Sequence, residues 1–285
     1  MSAQQASADT LQRFSFDKTA IRGELAHLNE SYQGVLKRHK YPEPIAIAIG
    51  ELMAATALLS SNLKFPGRLT LQIRLTGNVT LLQAESSEKG QLRAIARYDE
   101  NVDAGELVFE DGQMIITIEP EVGQRYQGIT SIDGGNIAAA LEEYYVQSEQ
   151  LGSRFWLKCD GTIAAGFMLQ QMPSATGDDP DAWDRISHLG STVKDEELLL
   201  LPNDTLLHRL YHEEDVRIYP TSDLSFFCTC SKDRIATALH QLGHAELKSI
   251  IAEQGKISIN CDFCQQAYAF DSVQIDELFP EHKLQ

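Results

Sequence analysis

The sequence is poor in basic residues and in cysteine, and each shortage argues against a class of protein. Its 285 residues include 24 Lys or Arg against 41 Asp or Glu, which gives a formal net charge of -17. Affinity for nucleic acid comes largely from basic side chains that neutralise phosphates, so this balance argues against a nucleic-acid partner. Five cysteines, an odd number in a chain of this length, do not fit a secreted disulfide framework.

The chain also has few long apolar runs. No stretch resembles the roughly 18 consecutive apolar residues of a spanning helix, and the residues after Met1 are polar and small, so we expect no membrane partner and a cytoplasmic location. The phosphate-binding pattern G-x-x-x-x-G-K-[ST] does not occur, so ATP-driven chemistry through that loop has no support. With 43% hydrophobic residues, the chain can bury a core and form more than one domain.

Alternating apolar and polar residues predict short strands in the first part of the chain. Close turn signals between them favour antiparallel hairpins over parallel crossovers. The predicted strands are 11–16, 68–75, 79–85, 92–97, 114–118, 126–132 and 155–159. Apolar residues at helical spacing predict helices over 43–63 and 136–148. We therefore predict an α+β fold for residues 1–177, a mostly antiparallel sheet with packed helices.

Composition changes after Pro173, and residues 178–222 are predicted to form an acidic helical linker. This segment has eleven Asp or Glu and four Lys or Arg, and helical patterns over 181–190, 194–201 and 204–213. Its apolar side chains are too numerous for a solvated tether, so we expect them to pack on the first domain. An ordinary helical subdomain is the alternative. The apolar positions are Trp183, Ile186, Leu189, Leu198, Leu199, Leu206, Leu207 and Leu210.

Residues 223–285 carry four of the five cysteines as two close pairs. Cys228 and Cys230 form a C-x-C pair, and Cys261 and Cys264 form a C-x-x-C pair thirty residues later. Zn²⁺ prefers tetrahedral thiolate ligands at about 2.3 Å, and each tight turn can supply two of the four corners. We predict one structural Zn²⁺ per chain bound by these four cysteines; the alternative is two unrelated buried pairs.

Three further residues are candidates for a site. His240 and His244 could bind a metal from one helix, but we expect Gly243 to end that helix, and four thiolates already complete a tetrahedral shell. We assign both histidines to surface or packing roles. Cys159 has no cysteine near it in the sequence, so we predict a small core side chain with no part in metal binding.

The cysteine pairs belong to a longer series of short motifs. In the C-terminal part these are Phe227-Cys228-Thr229-Cys230, Leu242-Gly243, Cys261-Asp262-Phe263-Cys264, Tyr268-Ala269-Phe270-Asp271 and Leu278-Phe279. Upstream they are Arg22-Gly23, Leu63-Lys64-Phe65, Arg93-Ala94-Ile95-Ala96-Arg97, Tyr126-Gln127-Gly128-Ile129, Ser148-Glu149-Gln150, Ala164-Ala165-Gly166 and His212-Glu213-Glu214. With these motifs in this order, the chain resembles the heat shock protein 33 family of redox-regulated molecular chaperones.

The resemblance implies an ATP-independent holdase and not an enzyme. Such a protein is inactive while reduced and zinc-bound, is activated by oxidants, binds unfolded or partly folded client proteins, and forms a homodimer when oxidised. On this basis we predict that oxidation forms the disulfides Cys228–Cys230 and Cys261–Cys264 and releases Zn²⁺. The module near 223–285 then unfolds, and the linker detaches and exposes apolar surface.

Two other functions stay open on the residues alone. A zinc ribbon that binds nucleic acid is opposed by five basic against nine acidic residues in 223–285. A thiol oxidoreductase would use Cys261 and Cys264, but a thioredoxin-like C-x-x-C pair begins a helix, and here we expect it to join two short strands. A zinc hydrolase fits least, because catalytic zinc needs an open coordination position.

Overall fold

The structure, a computed structural model, describes residues 9–99, 109, 111–132, 135–173 and 179–279. They form two compact units, one ending at Phe227 and the other beginning at Cys228. The residues directly after Met1 and the predicted boundary between 177 and 178 lie outside the described residues. The division into 1–177, 178–222 and 223–285 therefore stays a prediction.

The first unit is built from two β-sheets and six helices in its described part. Its strands are β1 (Thr10–Phe16), β2 (Ile21–Leu28), β3 (Gly67–Arg74), β4 (Val79–Ser87), β5 (Gln91–Tyr98), β6 (Gln113–Pro120), β7 (Tyr126–Ser131), β8 (Ser153–Cys159), β9 (Ala164–Gln171), β10 (Val216–Ile218), β11 (Ser222–Asp223) and β12 (Ser225–Phe226). Its helices are α1 (Glu30–Leu36), α2 (Glu43–Ser60), α3 (Ile137–Tyr144), α4 (Ala182–Gly190), α5 (Asp195–Leu200) and α6 (Asn203–Tyr211), and a π-helical turn, Tyr145–Glu149, follows α3.

Both sheets are mostly antiparallel, which confirms the predicted α+β class. The first sheet has the order β10-β1-β2-β9-β8, with β11 also paired to β1. The second sheet has the order β12-β5-β4-β3-β6-β7. The short pairing of β12 with β5 is parallel. The segment from β10 to β12 thus pairs first with an edge of one sheet and then with an edge of the other.

Helix α2 lies between the two sheets, and fourteen of its eighteen residues are buried. Its apolar side chains join one cluster with side chains of both sheets, among them Met168 of β9 and Leu82 of β4. A helix that is apolar on all sides belongs in a core. By length and composition alone α2 could cross a membrane, but the core helix of a globular protein can meet the same criteria, so α2 does not overturn the expectation of no membrane-spanning segment. With 78% of the segment buried inside the fold, α2 is placed as a core helix.

Helices α4, α5 and α6 cover the first sheet with their apolar side chains. They share a second cluster with Phe14 and Phe16 of β1, Leu25 of β2 and Phe167 of β9. The Tyr211 ring of α6 meets the Phe16 ring edge to face, with 4.9 Å between centroids. The cluster includes the linker residues Ala182, Ile186, Leu198, Leu199, Leu206, Leu207, Leu210 and Tyr211. This confirms that the apolar residues of the predicted linker pack on the first domain.

The second unit contains α7 (Lys232–His240), α8 (His244–Gln254), β13 (Ile257–Asn260), β14 (Ala267–Phe270) and α9 (Ser272–Leu278). Strands β13 and β14 form an antiparallel hairpin. Its buried core contains Leu239, Leu247, Ile257, Phe270, Ile275 and Phe279. A core this small gives little stability by itself, so a module of this size needs another source of stability.

Candidate metal centre

The C-x-C loop directly precedes helix α7, whose first turn fixes it. The Ser231 hydroxyl caps the helix by accepting the Arg234 backbone N–H at 3.2 Å. The Arg234 guanidinium donates back to the carbonyl of Thr229 at 3.1 Å. These two contacts hold the backbone on both sides of Cys230.

The C-x-x-C pair forms the turn between β13 and β14. The backbone N–H of Cys261 donates to the Gln266 carbonyl at 2.9 Å, and that of Gln265 donates to the Cys261 carbonyl at 2.8 Å. Gln265 takes the left-handed conformation, with φ 59°, which closes the turn. The pair therefore joins two strands, whereas a thioredoxin-like pair begins a helix.

The four sulfurs of Cys228, Cys230, Cys261 and Cys264 lie within 4.8 Å of one another. Across the two pairs, the Sγ atoms of Cys228 and Cys261 are 3.6 Å apart, and those of Cys230 and Cys264 are 3.3 Å apart. In a tetrahedral zinc–thiolate site with bonds of about 2.3 Å, sulfurs are about 3.8 Å apart. The donor set therefore fits a tetrahedral metal ion, and these four cysteines could hold one.

Hydrogen-bond donors point at the sulfurs. The donors are the backbone N–H groups of Phe263 and Cys264 toward Cys261, the N–H of Gln266 toward Cys264, and the Tyr268 hydroxyl toward Cys230 at 3.2 Å. Donors of this kind stabilise a negatively charged sulfur more than a neutral one.

In the metal-free protein, burial affects the pKa values of Cys261 and Cys264 more than these hydrogen-bond donors do. It is the main cause that raises the pKa of Cys261, and it raises the pKa of Cys264 to about 12. Without a cation, both groups therefore keep their protons at neutral pH. A bound divalent cation reverses this preference, because it stabilises the thiolates directly.

The two histidines pack elsewhere in the second unit. Helix α7 ends at His240, three residues earlier than the predicted stop at Gly243, and Gly243 instead precedes α8 with a φ of 89°. The His240 ring stacks on Phe279 with 4.4 Å between centroids. His244 Nε2 lies 2.8 Å from a carboxylate oxygen of Asp276. Both side chains thus make packing and polar contacts between helices, in line with the role assigned to them.

Cys159 is a core side chain of the first unit, 3% exposed. A Cβ on Gly50 of α2 would lie 2.4 Å from its sulfur, so the helix approaches this strand closely only because residue 50 is glycine. Burial raises the pKa of the Cys159 thiol. It has no place in the four-sulfur group.

Two polar contacts tie helix α5 to the first sheet. The half-buried His27 of β2 donates from Nε2 to the carbonyl of Leu198 at 2.7 Å. Burial is the main cause that lowers the pKa of His27. On β8, Lys158 forms an ion pair with Asp195 at 2.6 Å.

Sequence reasoning missed Tyr268 and His27 as parts of the site and its surroundings. Tyr268 already stood in a recognised motif, but its contact with Cys230 depends on how two loops meet in space. A histidine between apolar residues in 21–28 was the available signal for His27. Its partner is a carbonyl 171 residues away, which no local pattern reveals.

Comparisons with known proteins show which family the chain resembles. The family model described as Hsp33 protein matches residues 9–271. The chain is 47% identical over 280 residues to the 33 kDa chaperonin of Pseudomonas savastanoi pv. phaseolicola, covering 95% of this chain and 93% of the relative. It is 46% identical over 281 residues to that of Pseudomonas aeruginosa, covering 95% of both.

A solved structure shows the same fold. The crystal structure of the 33 kDa chaperonin from Thermotoga maritima, a heat shock protein 33 homologue, superposes with a TM-score of 0.83. The match covers 96% of this chain and 99% of the other at 19% sequence identity.

Proposed function

The chain belongs to the Hsp33 protein family, and from this premise we propose that it is a redox-regulated, ATP-independent holdase chaperone. Its relatives bear the name chaperonin and the family is not one of enzymes, so the expectation that the chain is not an enzyme is confirmed. We propose that the clients are unfolded or partly folded proteins. The observation that carries the redox part is the four-sulfur group in the second unit.

In the reduced protein, Cys228, Cys230, Cys261 and Cys264 would hold one Zn²⁺ as thiolates. Bound Zn²⁺ supplies the charge that keeps the sulfurs deprotonated and contributes on the order of 10 kcal/mol to folding a small module. The residues contribute the geometry: a capped helix start fixes one pair, and a hairpin turn fixes the other. The small core of the second unit makes this contribution necessary for its stability.

Oxidation removes these ligands. A peroxide-class oxidant takes two electrons from each pair of thiolates, one S–S bond forms per pair, and the peroxide is reduced to two hydroxide ions. We propose the near-neighbour pairs Cys228–Cys230 and Cys261–Cys264. Each disulfide closes so short a loop that it should stabilise the folded module by less than the typical value of about 2 to 4 kcal/mol. This is well below the roughly 10 kcal/mol that the metal contributes.

The surface for clients lies in the linker and under it. Helices α4 to α6 bury their apolar side chains on the first sheet, and their detachment would expose both faces of this contact. On the linker the candidates are Trp183, Leu198, Leu199 and Leu207; on the sheet they are Phe14, Phe16, Leu25 and Phe167. The net charge of -17 would keep such an open form soluble.

The remaining parts of the proposal concern location and partners. We propose a cytoplasmic protein that forms a homodimer when oxidised and that binds neither nucleic acid nor membrane. The chain has 41 acidic and 24 basic residues, and this negative balance supports the absence of a nucleic-acid partner. The buried position of the apolar helix α2 supports the absence of a membrane span.

A light-scattering assay of a heat-denatured client tests the function. The reduced, zinc-loaded protein and the peroxide-treated protein are compared at equal concentration, without ATP. We expect suppression of aggregation only after oxidation, together with release of one Zn²⁺ per chain. Equal suppression by both forms would contradict the redox switch, and no suppression by either would contradict the chaperone function.

A further inference from the structure

The Tyr268 side chain makes a polar contact with Cys230, a cysteine of the metal centre, although Tyr268 lies outside both the C-x-C loop and the C-x-x-C turn. Its hydroxyl lies 3.2 Å from Cys230 Sγ. A phenol hydroxyl is a donor to a thiolate, and charge-assisted hydrogen bonds are the stronger kind. The contact joins the C-x-C loop to the hairpin that carries the other cysteine pair.

Both ends of this hydrogen bond are held by independent elements. Tyr268 pairs with Ile259 across the hairpin, and its ring packs against the small core of the second unit. Cys230 is fixed by the neighbouring cap of Ser231 on helix α7. Because neither group has to be ordered to make the bond, the donor is preorganised for the sulfur.

We propose that Tyr268 is a positioning residue of the cysteine site, whose hydroxyl holds Cys230 in place for metal binding and slows the reaction of its sulfur with oxidants. The second part rests on the proposed redox function. The first part rests on this contact and on the four-sulfur group as a metal site.

The chemistry of oxidation explains the slowing. A thiolate attacks one peroxide oxygen, the O–O bond breaks, and a sulfenic acid and hydroxide form; the neighbouring thiolate then attacks that sulfur, and a second hydroxide leaves as the S–S bond forms. The attack uses a sulfur lone pair. At Cys230 the Tyr268 hydroxyl engages the sulfur, so its hydrogen bond must weaken before that attack.

The Tyr268→Phe variant removes this donor and keeps the ring. We expect zinc affinity to fall roughly tenfold in competition with a chromogenic chelator. Thiol loss at Cys230 under peroxide, followed by alkylation and mass spectrometry, should be roughly three- to tenfold faster. With Co²⁺ as the probe, the sulfur-to-cobalt charge-transfer band should shift to lower energy, because an unbonded thiolate is a stronger electron donor.

Two variants make the test specific. Tyr219→Phe removes the same atom in the first unit, where that hydroxyl lies 3.1 Å from Ser15 Oγ, and it should leave all three measurements unchanged. Tyr268→Leu also removes the ring and reports the packing role. If Tyr268→Phe keeps the wild-type cobalt spectrum, zinc affinity and oxidation rate while Tyr268→Leu loses metal, the hydroxyl has no role and the proposal is overturned. Failure of the wild-type protein to protect clients after oxidation would overturn the chaperone function and leave these metal measurements intact.

Discussion

The contact between helix α5 and the first sheet can be weakened without touching a cysteine. Leu198 is 2% exposed in the apolar cluster of the first sheet, whereas Leu200, two residues along the same helix, is 56% exposed. Truncation of a buried leucine to alanine costs about 2 to 5 kcal/mol, because the methyl groups leave apolar surroundings and a cavity remains. Truncation of an exposed leucine costs roughly 0.5 kcal/mol or less. The two substitutions are chemically identical and differ only in burial.

The expected result is local opening of the linker in the reduced protein. A loss of about 2 to 5 kcal/mol multiplies the open population roughly 30- to 4000-fold, since every 1.4 kcal/mol is about a factor of ten. Hydrogen exchange of peptides from helices α5 and α6 should accelerate accordingly in Leu198→Ala and stay near wild type in Leu200→Ala. If linker detachment exposes the client surface, reduced Leu198→Ala should also suppress aggregation without oxidant.

Two outcomes would contradict this reasoning. Equal exchange rates in the two variants would mean that burial of Leu198 does not hold the linker on the sheet. Fast exchange in Leu198→Ala without any gain in chaperone activity would mean that detachment of this segment does not expose the client surface. The second outcome would overturn the unlocking mechanism and leave the metal site unaffected.

Three further predictions concern the cysteines and pH. Metal analysis of Cys261→Ser should show loss of zinc, while Cys159→Ser should keep one zinc ion per chain; retention by the first or loss by the second would contradict the assignment. Peptide mapping after peroxide should find disulfides within the C-x-C and C-x-x-C pairs, and mainly crossed pairs would overturn this pairing. Burial lowers the pKa of His27, so the protein binds fewer protons when the linker is docked on the sheet than when it is detached. The contribution of neutral His27 to docking of the linker is therefore complete above the ordinary histidine pKa of 6.5 and is lost as pH falls below it. Hydrogen exchange of the linker, corrected for intrinsic rates, should therefore rise from pH 7 to 5 in the wild-type protein relative to His27→Gln, whose amide can still donate to the Leu198 carbonyl. The comparison with this variant is needed because burial raises the pKa of Glu51 to about 7, and this group makes stability change with pH in the opposite direction. Identical pH profiles of the two proteins would refute the role of His27.

The sequence predicted strands well where only one face of the strand is buried. Buried and less buried residues alternate along β3, and its apolar pattern located it within one residue at each end. Strand β9 was missed because seven of its eight residues are buried. Helix α2 covers one face of β9 and the linker helices cover the other, so no alternation remains in its sequence.

For the metal centre too, features set by nearby residues could be predicted from the sequence, and contacts between distant residues could not. The spacing of the four cysteines is local, and it predicted the group that the structure brings together. The contact between Tyr268 and Cys230 depends on the strand register that places Tyr268 opposite Ile259, and on the loop before helix α7. Spacing along the chain does not encode such a contact.

The close packing of Cys159 against Gly50 gives the protein a natural reporter thiol. The side chain is 3% exposed and lies against Gly50 of α2, so an alkylating reagent can reach this sulfur only after the packing around it opens. Detachment of the linker leaves that contact closed, since Cys159 belongs to the cluster around α2 and not to the cluster under the linker. Labelling of Cys159 during oxidation would thus distinguish collapse of the whole first unit from release of its covering helices, without any engineered probe.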